Sequence, residues 1–399
     1  MQPTLAWLDF NGAERERTQR VLALFEEQDT RDELGLGGIR DSFADHFFPG
    51  TSTIQTRLRY LFFIPWIYQD LERRRTPSRE VAARARKLEL DLTEPLLKAH
   101  GADAGVFGRV ARERLKRLPS SVYWAALRQY DICRYQGGRE DFHRDFESLW
   151  RRRLRAKEEN DGGRDALDYS WHPKLPAPPA DFFQSPTFLL TNTEAEFFRH
   201  CLEARCPDSL LMFLAWRCKP AAVDFPWEHP ELARFSEAHR ELLEHARLFS
   251  ETMHGAAILY NWMLAEAVPM KEKVSEYEDM FAAWAKEMVV AGARVRQWNL
   301  RRLWEIVRHP NHTVTVAARE FVETWVRLLL QHGVDLGRLE EGRRLVRNRE
   351  MRLKGPRSRF NNRRALEQWG GAAGLGRISF RWGNANQFLS DLWEGLRGS

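Results

Sequence analysis

Along most of this chain apolar residues return every three or four positions, the spacing of one face of an α-helix, and they almost nowhere alternate. The densest stretch is residues 35–68, GLGGIRDSFADHFFPGTSTIQTRLRYLFFIPWIY. Ile39, Phe43, Phe47 and Phe48, with Arg40, Asp41 and Asp45 between them, predict a short amphipathic helix. Pro49-Gly50 closes a turn, and Thr51 to Thr53 offer oxygens to cap a second helix, whose face is Ile54, Leu58, Leu61, Phe62 and Pro65. From Leu61 to Tyr68 the apolar residues are continuous. That run is far short of the roughly 18 residues that argue a membrane span, so it predicts a buried central helix. Pro65, which has no amide donor, is expected to kink it.

The same period continues. Val21, Leu22, Leu24 and Phe25 mark a helix over 14–27, and Leu88, Leu92, Leu96 and Leu97 a long one from Ser78 to His100. Phe107, Ala111, Leu115 and Leu118 fall at i, i+4, i+8 and i+11, which predicts a helix ended by Pro119, with Ser120 and Ser121 capping the next. A helix over 141–157 finishes in the basic run RRRLRAK. Residues 158–186 then lose periodicity to Gly, Pro and charge, and predict a linker or extended arm. Beyond it Thr193 and Glu196 read as a capping box. Helices follow over 209–216, 232–264, 277–304 (with a break at Gly292) and 317–331, and DFPWEHP reads as a rigid turn. RISFRW, 377–382, placed after GGAAGLG, reads as a strand of a small hairpin. The expectation is a mostly α protein of two helical domains. The N-terminal domain covers 1–157, residues 158–186 join it to a C-terminal domain over 187–399, and one small β element lies near the C-terminus.

Composition agrees with two domains, since 399 residues exceed what one hydrophobic core fills. The four cysteines, Cys133, Cys201, Cys206 and Cys218, are few for this length and favour a reducing compartment. The opening residues lack a basic-then-apolar pattern, so no signal peptide is expected and the predicted location is cytoplasmic, with no membrane partner.

The net charge of +6 is modest, but its distribution is not. Residues 343–364, RRLVRNREMRLKGPRSRFNNRR, hold ten basic residues and one acid, Glu350. On a helix Leu339, Val346 and Leu353 repeat every seven residues and turn inward, which sets Arg343, Arg344, Arg347 and Lys354 on the opposite side. After a break at Gly355-Pro356, Arg357, Arg359, Arg363 and Arg364 extend the field around Phe360, Asn361 and Asn362. The planar fork of arginine matches phosphate oxygens, so these eight basic residues are the candidate nucleic-acid-binding set. The plainer reading is a solvated face neutralised by acids such as Glu340 and Glu341. Weaker basic patches lie at Arg109, Arg112, Arg114, Lys116 and Arg117, and at 151–157. A third, Arg294, Arg296, Arg301, Arg302 and Arg308, interleaves with Trp298 and Trp304, whose helical spacing fits a core better than base stacking.

Catalytic signatures fail on inspection. His143-Arg144-Asp145 has the form of a kinase triplet, but Trp150 stands where the metal-binding Asn belongs. His172-Pro173-Lys174 has the His–Lys pair of phospholipase-D nucleases, but Pro179 replaces the required Asp. His200 with Cys201, Cys206 and Cys218 matches no zinc finger, and His309 and His312 bracket a turn. There is no Walker A loop, GxGxxG or GxSxG. No catalytic residue, metal or cofactor is assigned.

The blocks at 35–68, RLKRLPSSVYWAALRQY, FSETMHGAAILYNWMLAE and REMRLKGPRSRFNNRRALEQWGG resemble a bacterial family of unknown function over nearly the whole chain. The resemblance implies a place in anti-phage defence islands, near helicases and phospholipase-D-type nucleases, in neighbourhoods like those of DISARM systems. It carries no catalytic residues. The expectation is a non-catalytic defence subunit that binds DNA, or a helicase or nuclease partner, through the arginine-rich segment. The alternatives are a purely structural adaptor and an unrecognised nuclease whose carboxylates meet only in the fold.

Overall fold

The computed structural model describes residues 32–101, 104–158, 170–268 and 270–398. Within them the protein is mostly α, with no strand and two isolated bridges, Cys133–Trp171 and His309–His312. No helix among the described residues is long and apolar enough to cross a membrane. The helix expected over 14–27 lies outside the described residues. The chain forms two compact units, one of residues 44–239 and 379–399, the other of 240–378 with the described residues up to Phe43. The boundary expected at 158–186 is therefore not where the units divide, because both its flanks belong to the first unit. The chain passes between units inside α1 (Gly37–Phe47), the predicted amphipathic helix, in which Ile39, Phe43 and Phe47 are buried.

The first unit is built on α2 (Tyr60–Arg73), where every residue from Tyr60 to Tyr68 is buried. A helix with no wet side must be enclosed, and α3 (Ser78–Asp91), α4 (Thr93–His100), α5 (Pro119–Gln129) and α6 (Arg139–Glu158) help to enclose it: α2 packs on α3 and α5, and α3 on α6. The helix does not start at Thr51–Thr53 as the caps suggest. Thr51 Oγ1 donates back to Phe48 O at 2.6 Å, and after it Gln55 Nε2 donates to Gly50 O at 3.1 Å while the backbone amides of Thr56 and Arg57 donate to the Tyr123 hydroxyl at 2.8 and 3.1 Å. Ile54, expected to face inward, is 41 % exposed. The long helix expected to end at His100 breaks in two at Leu92.

The stripe Phe107, Ala111, Leu115 and Leu118 is not a helix either. Gly105, Gly108 and Arg112 have φ of 78°, 80° and 47°, left-handed values that interrupt it, and only the 3₁₀ turn Arg112–Arg114 forms. Beyond 170 the chain behaves as an arm on α2. Trp171 stacks on Tyr68 with centroids 5.9 Å apart, and Trp66 Nε1 donates to Pro176 O at 2.7 Å.

The next helix, α7 (Asn192–Arg205), is capped by Thr191 and Glu194 in a capping box two residues before the expected Thr193 and Glu196. Glu194 is chosen because it also receives Arg59 Nε and Nη2 at 2.9 and 2.8 Å, in a pair whose side chains are 3 % and 2 % exposed. The helix expected over 209–216 is α8 (Leu210–Arg217), with Ser209 as its N-cap.

The second unit is built on α9 (Glu237–Ala267), α10 (Lys271–Val290), the short α11 (Gly292–Gln297) and α12 (Leu300–Ile306), α13 (Val316–His332), α14 (Glu340–Lys354) and the short α15 (Arg363–Glu367). The break expected at Gly292 is present. Gly255 lies in the middle of α9 because an indole rests on its backbone: a Cβ there would come 2.2 Å from Trp284. Trp284 Nε1 donates to Glu251 O and Trp325 Nε1 to Thr252 O, both at 2.8 Å, so two buried indoles grip the same turn. Trp298 and Trp304 are also core residues, donating to His245 Nδ1 and Glu323 Oε1.

The chain returns to the first unit through α16 (Trp382–Arg397), which packs on α7 and α8. The strand expected at 377–382 is absent, since Phe380 and Arg381 have φ of 54° and 65°, which no strand accepts. That turn aims Arg381 Nη1 at Asp45 Oδ1, 2.5 Å away, and at Thr51 O, 2.8 Å away.

Two predictions follow from this packing. Gly255→Ala should cost about 1–3 kcal/mol, because the added methyl must displace an indole held by its own hydrogen bond. Urea unfolding reads this, and an unshifted midpoint would show that Trp284 yields freely. The second concerns Glu89 on α3, buried and accepting from Ser120 N at 2.8 Å, whose carboxyl burial pushes up from its usual 4.5 to about 7. Its folded pKa lies above the unfolded value, so its contribution to stability is present below 4.5 and is lost as pH rises through 7. Relative to wild type, Glu89→Gln should gain stability steadily between pH 4.5 and 7. A variant that tracks wild type at every pH would remove Glu89 from the account.

Candidate nucleic-acid interface

The arginine-rich segment lies wholly in the second unit, as α14, the turn Gly355–Arg357 and α15. Glu340 and Glu341 in the first turn of α14, and Arg352 and Lys354 in the last, match the helix dipole at both ends. Gly355, with φ of 50°, stops the helix. Of the three residues expected to turn inward only Val346 is fully buried. Leu339 is half-buried and Leu353 is 43 % exposed.

The basic residues divide into two groups. Arg343 is drawn inward, donating to Gly337 O at 2.9 Å, pairing with Glu266 and lying over the Trp262 ring. Arg349 is 7 % exposed, and donates to Leu34 O and Gly35 O at 2.8 and 3.0 Å. Burial lowers its pKa from the usual value. Lys354 pairs with Glu33, and Arg359 Nη1 donates to Glu33 Oε2 and to the Tyr260 hydroxyl, both at 2.7 Å. Glu350, the one acid of the run, is fully buried and accepts from Ser358 Oγ and from Arg359 N at 3.0 Å, so it fixes the Gly355–Arg359 loop. Arg343, Lys354 and Arg359 are thus structural members of ion pairs rather than parts of one outward face. Their partners, Glu33 and Glu266, are remote in sequence.

The other group faces solvent. Arg344, Arg352, Arg357 and Arg364 are exposed, and among the described residues none of them has an ion pair or hydrogen-bond partner. Arg363 is 91 % exposed and sits 3.0 Å from Glu367, and Arg347 is 3.2 Å from Glu340. Arg344, Asn348 and Arg352 recur every four residues, so they line one face of α14 at steps of about 6 Å. That face borders a groove of about 520 Å³, with Glu320, Thr324 and Leu328 of α13 on the facing side and Phe321 and Leu345 among its lining. Arg352 and Asn348 were not in the candidate set, although their spacing from Arg344 would have found them.

The discarded catalytic candidates serve the first unit's packing. His143 Nε2 lies 2.6 Å from the Tyr68 hydroxyl, and burial pushes its pKa down to about 4. His172 packs edge-on to Phe197, and its Nδ1 accepts from Lys174 N at 3.2 Å. All four cysteines are free and buried.

Compared with known proteins, the chain matches a family model over residues 2–395, described as a family of unknown function. No curated protein and no solved structure matches it.

Removing Glu350 should unhook the loop that carries Arg357 and Arg359. Glu350→Ala is expected to cost about 3–5 kcal/mol, since it strands buried donors and a nearby cation. Chemical denaturation measures the loss, and a cost under about 1 kcal/mol would make the loop independent of this carboxylate.

Proposed function

The chain belongs to that family, DUF6361, and from this premise we propose that it is a non-catalytic subunit that holds the phosphate backbone of DNA, within an anti-phage defence complex of the kind its resemblance implies. The observation that carries the DNA reading is the group Arg344, Arg352, Arg357 and Arg364, exposed on one segment without a carboxylate partner among the described residues. Elsewhere in the same unit some arginines take acids, Arg302 meeting Glu241 and Arg294 meeting Glu244, both at 2.8 Å, and the open ones among the described residues, such as Arg240, Arg296 and Arg308, are not gathered four to a segment. A set of guanidinium groups left open beside one another is favoured next to a polyanion, whose condensed counterions they release. Contacts of this kind fix position and carry no base information, so the proposed binding is indifferent to sequence.

A second reading is supported by Glu320 on the facing side of the groove. A cleft of both signs suits a protein surface, so the same face would serve an adaptor that docks a helicase or nuclease.

The test is Arg344→Glu combined with Arg352→Glu, with binding to a labelled duplex followed by fluorescence anisotropy across a salt series. Loss of two phosphate contacts should lower the slope of log affinity against log salt by about 1.8 and weaken binding at low salt on every sequence tried. Both side chains are exposed, so stability should move by no more than about 0.5 kcal/mol. Wild-type protein without affinity for DNA at low salt, or a variant that binds as wild type does, overturns the proposal. If wild type ignores DNA but the variant sheds a co-purifying helicase or nuclease, the adaptor reading stands instead.

A further inference from the structure

The groove between α13 and α14 has two unlike edges, and every residue that lines it belongs to the second unit. On α14 the edge is Arg344, Asn348 and Arg352. On α13 it is Glu320 and Thr324, with Glu341 at the end where α14 begins. The floor between them is apolar. Phe321 and Leu328 are buried, Leu345 is half-buried and Leu353 is 43 % exposed. Arg349 fixes this floor, with its guanidinium 5.6 Å from the Phe321 ring centroid and its donors held by the carbonyls of Leu34 and Gly35.

The charges along the edges limit what can lie across them. Glu341 is 3.9 Å from Arg327. Glu320 is exposed and, among the described residues, has no ion pair or hydrogen-bond partner. An open carboxylate repels phosphate, so a sugar-phosphate chain is confined to the arginine edge. A group that crosses to Glu320 has to be uncharged, apolar enough for the floor and able to donate a hydrogen bond. A nucleobase meets all three conditions. Adenine, cytosine and guanine each carry an exocyclic amino group, and a carboxylate accepts from such a group. At about 520 Å³ the groove falls among the clefts that take small ligands. Arg344 and Arg352 are eight residues apart, about 12 Å along the axis, so two phosphates of one strand meet them without either side chain bending toward the other.

We infer that this groove receives an unstacked base of a single strand, whose backbone runs along Arg344 and Arg352. The inference rests on the DNA reading and deepens it by naming the form of DNA. A base inside a duplex is paired and stacked and must be extruded before it reaches the floor, whereas a single strand offers its bases already open. The phosphate contacts remain indifferent to sequence, and the groove is the one place where base composition is felt.

Fluorescence anisotropy of the full chain tests it, with labelled probes of one length. The probes are a mixed adenine–cytosine strand, the same strand annealed to its complement, and matched strands of deoxycytidine and of thymidine. Charge alone favours the duplex, whose phosphates are denser. A single strand bound about tenfold tighter than the duplex therefore reports the groove. The deoxycytidine strand should bind about fivefold tighter than the thymidine strand, because thymine has a carbonyl where cytosine has its amino group. Glu320→Ala should erase that difference, and Leu353→Asn should close most of the gap between strand and duplex. Both side chains are exposed, so neither change should disturb the fold. Three results overturn the inference and leave the phosphate contacts standing: a duplex bound as tightly as the single strand, equal binding of the two pyrimidine strands, or a difference between them that survives Glu320→Ala. Wild-type protein that binds neither strand nor duplex removes the DNA reading and this inference together.

Discussion

A guanidinium leaves water only when its donors find acceptors, and that constraint organises both units. In the first, Arg59 meets Glu194 while its guanidinium lies over the Phe63 and Trp66 rings, and Arg57 meets Asp391 at 2.7 Å. Arg381 reaches Asp45 and a backbone carbonyl in the same unit. In the second, Arg349 is held by two carbonyls and Arg359 by Glu33. Most of these links join residues far apart in sequence. A buried pair adds little net stability, but breaking it leaves an uncompensated charge, so such links select register and loop path more than they deepen the fold. Glu194 shows this directly, since the carboxylate that neutralises Arg59 is also the one that completes the cap of α7.

The same constraint gives meaning to the arginines that have no acceptor among the described residues. Arg344, Arg352, Arg357 and Arg364 are conspicuous because their neighbours, Arg343, Lys354 and Arg359, all have one. One short segment thus divides into an inner half that anchors it and an outer half that is left for something else. The inner half also makes the outer half rigid. A phosphate-binding surface gains from this, because side chains on a fixed helix lose less freedom on binding.

Helix content was legible in most segments where apolar residues recur on one face, and the interior of α2, α9 and α13 follows the pattern closely. The failures share a cause. Apolar spacing reports burial, and a segment can bury its side chains without being a helix. Phe107 packs edge-on to Tyr60, 5.1 Å between centroids, from a loop whose glycines take left-handed φ. RISFRW alternates like a strand, yet two of its residues hold positive φ so that Arg381 can reach Asp45. The arginine-rich segment was visible as composition, and its division into paired and open members was not. That division depends on Glu33 and Glu266, which sequence distance hides. Arg352 was recoverable from its period alone.

The order in which the chain visits its units matters for how the molecule is made. Each unit is assembled from two separate stretches, the second from the described residues up to Phe43 and 240–378, the first from 44–239 and 379–399, so the first needs α16 to finish. Until α16 emerges, α7 and α8 lack their packing partner, and Arg57 lacks the carboxylate of Asp391. During synthesis the earlier-made helices of the first unit must therefore wait, partly uncovered, through the translation of residues 240–378. Their exposed aromatic surface over that interval is a natural substrate for a chaperone.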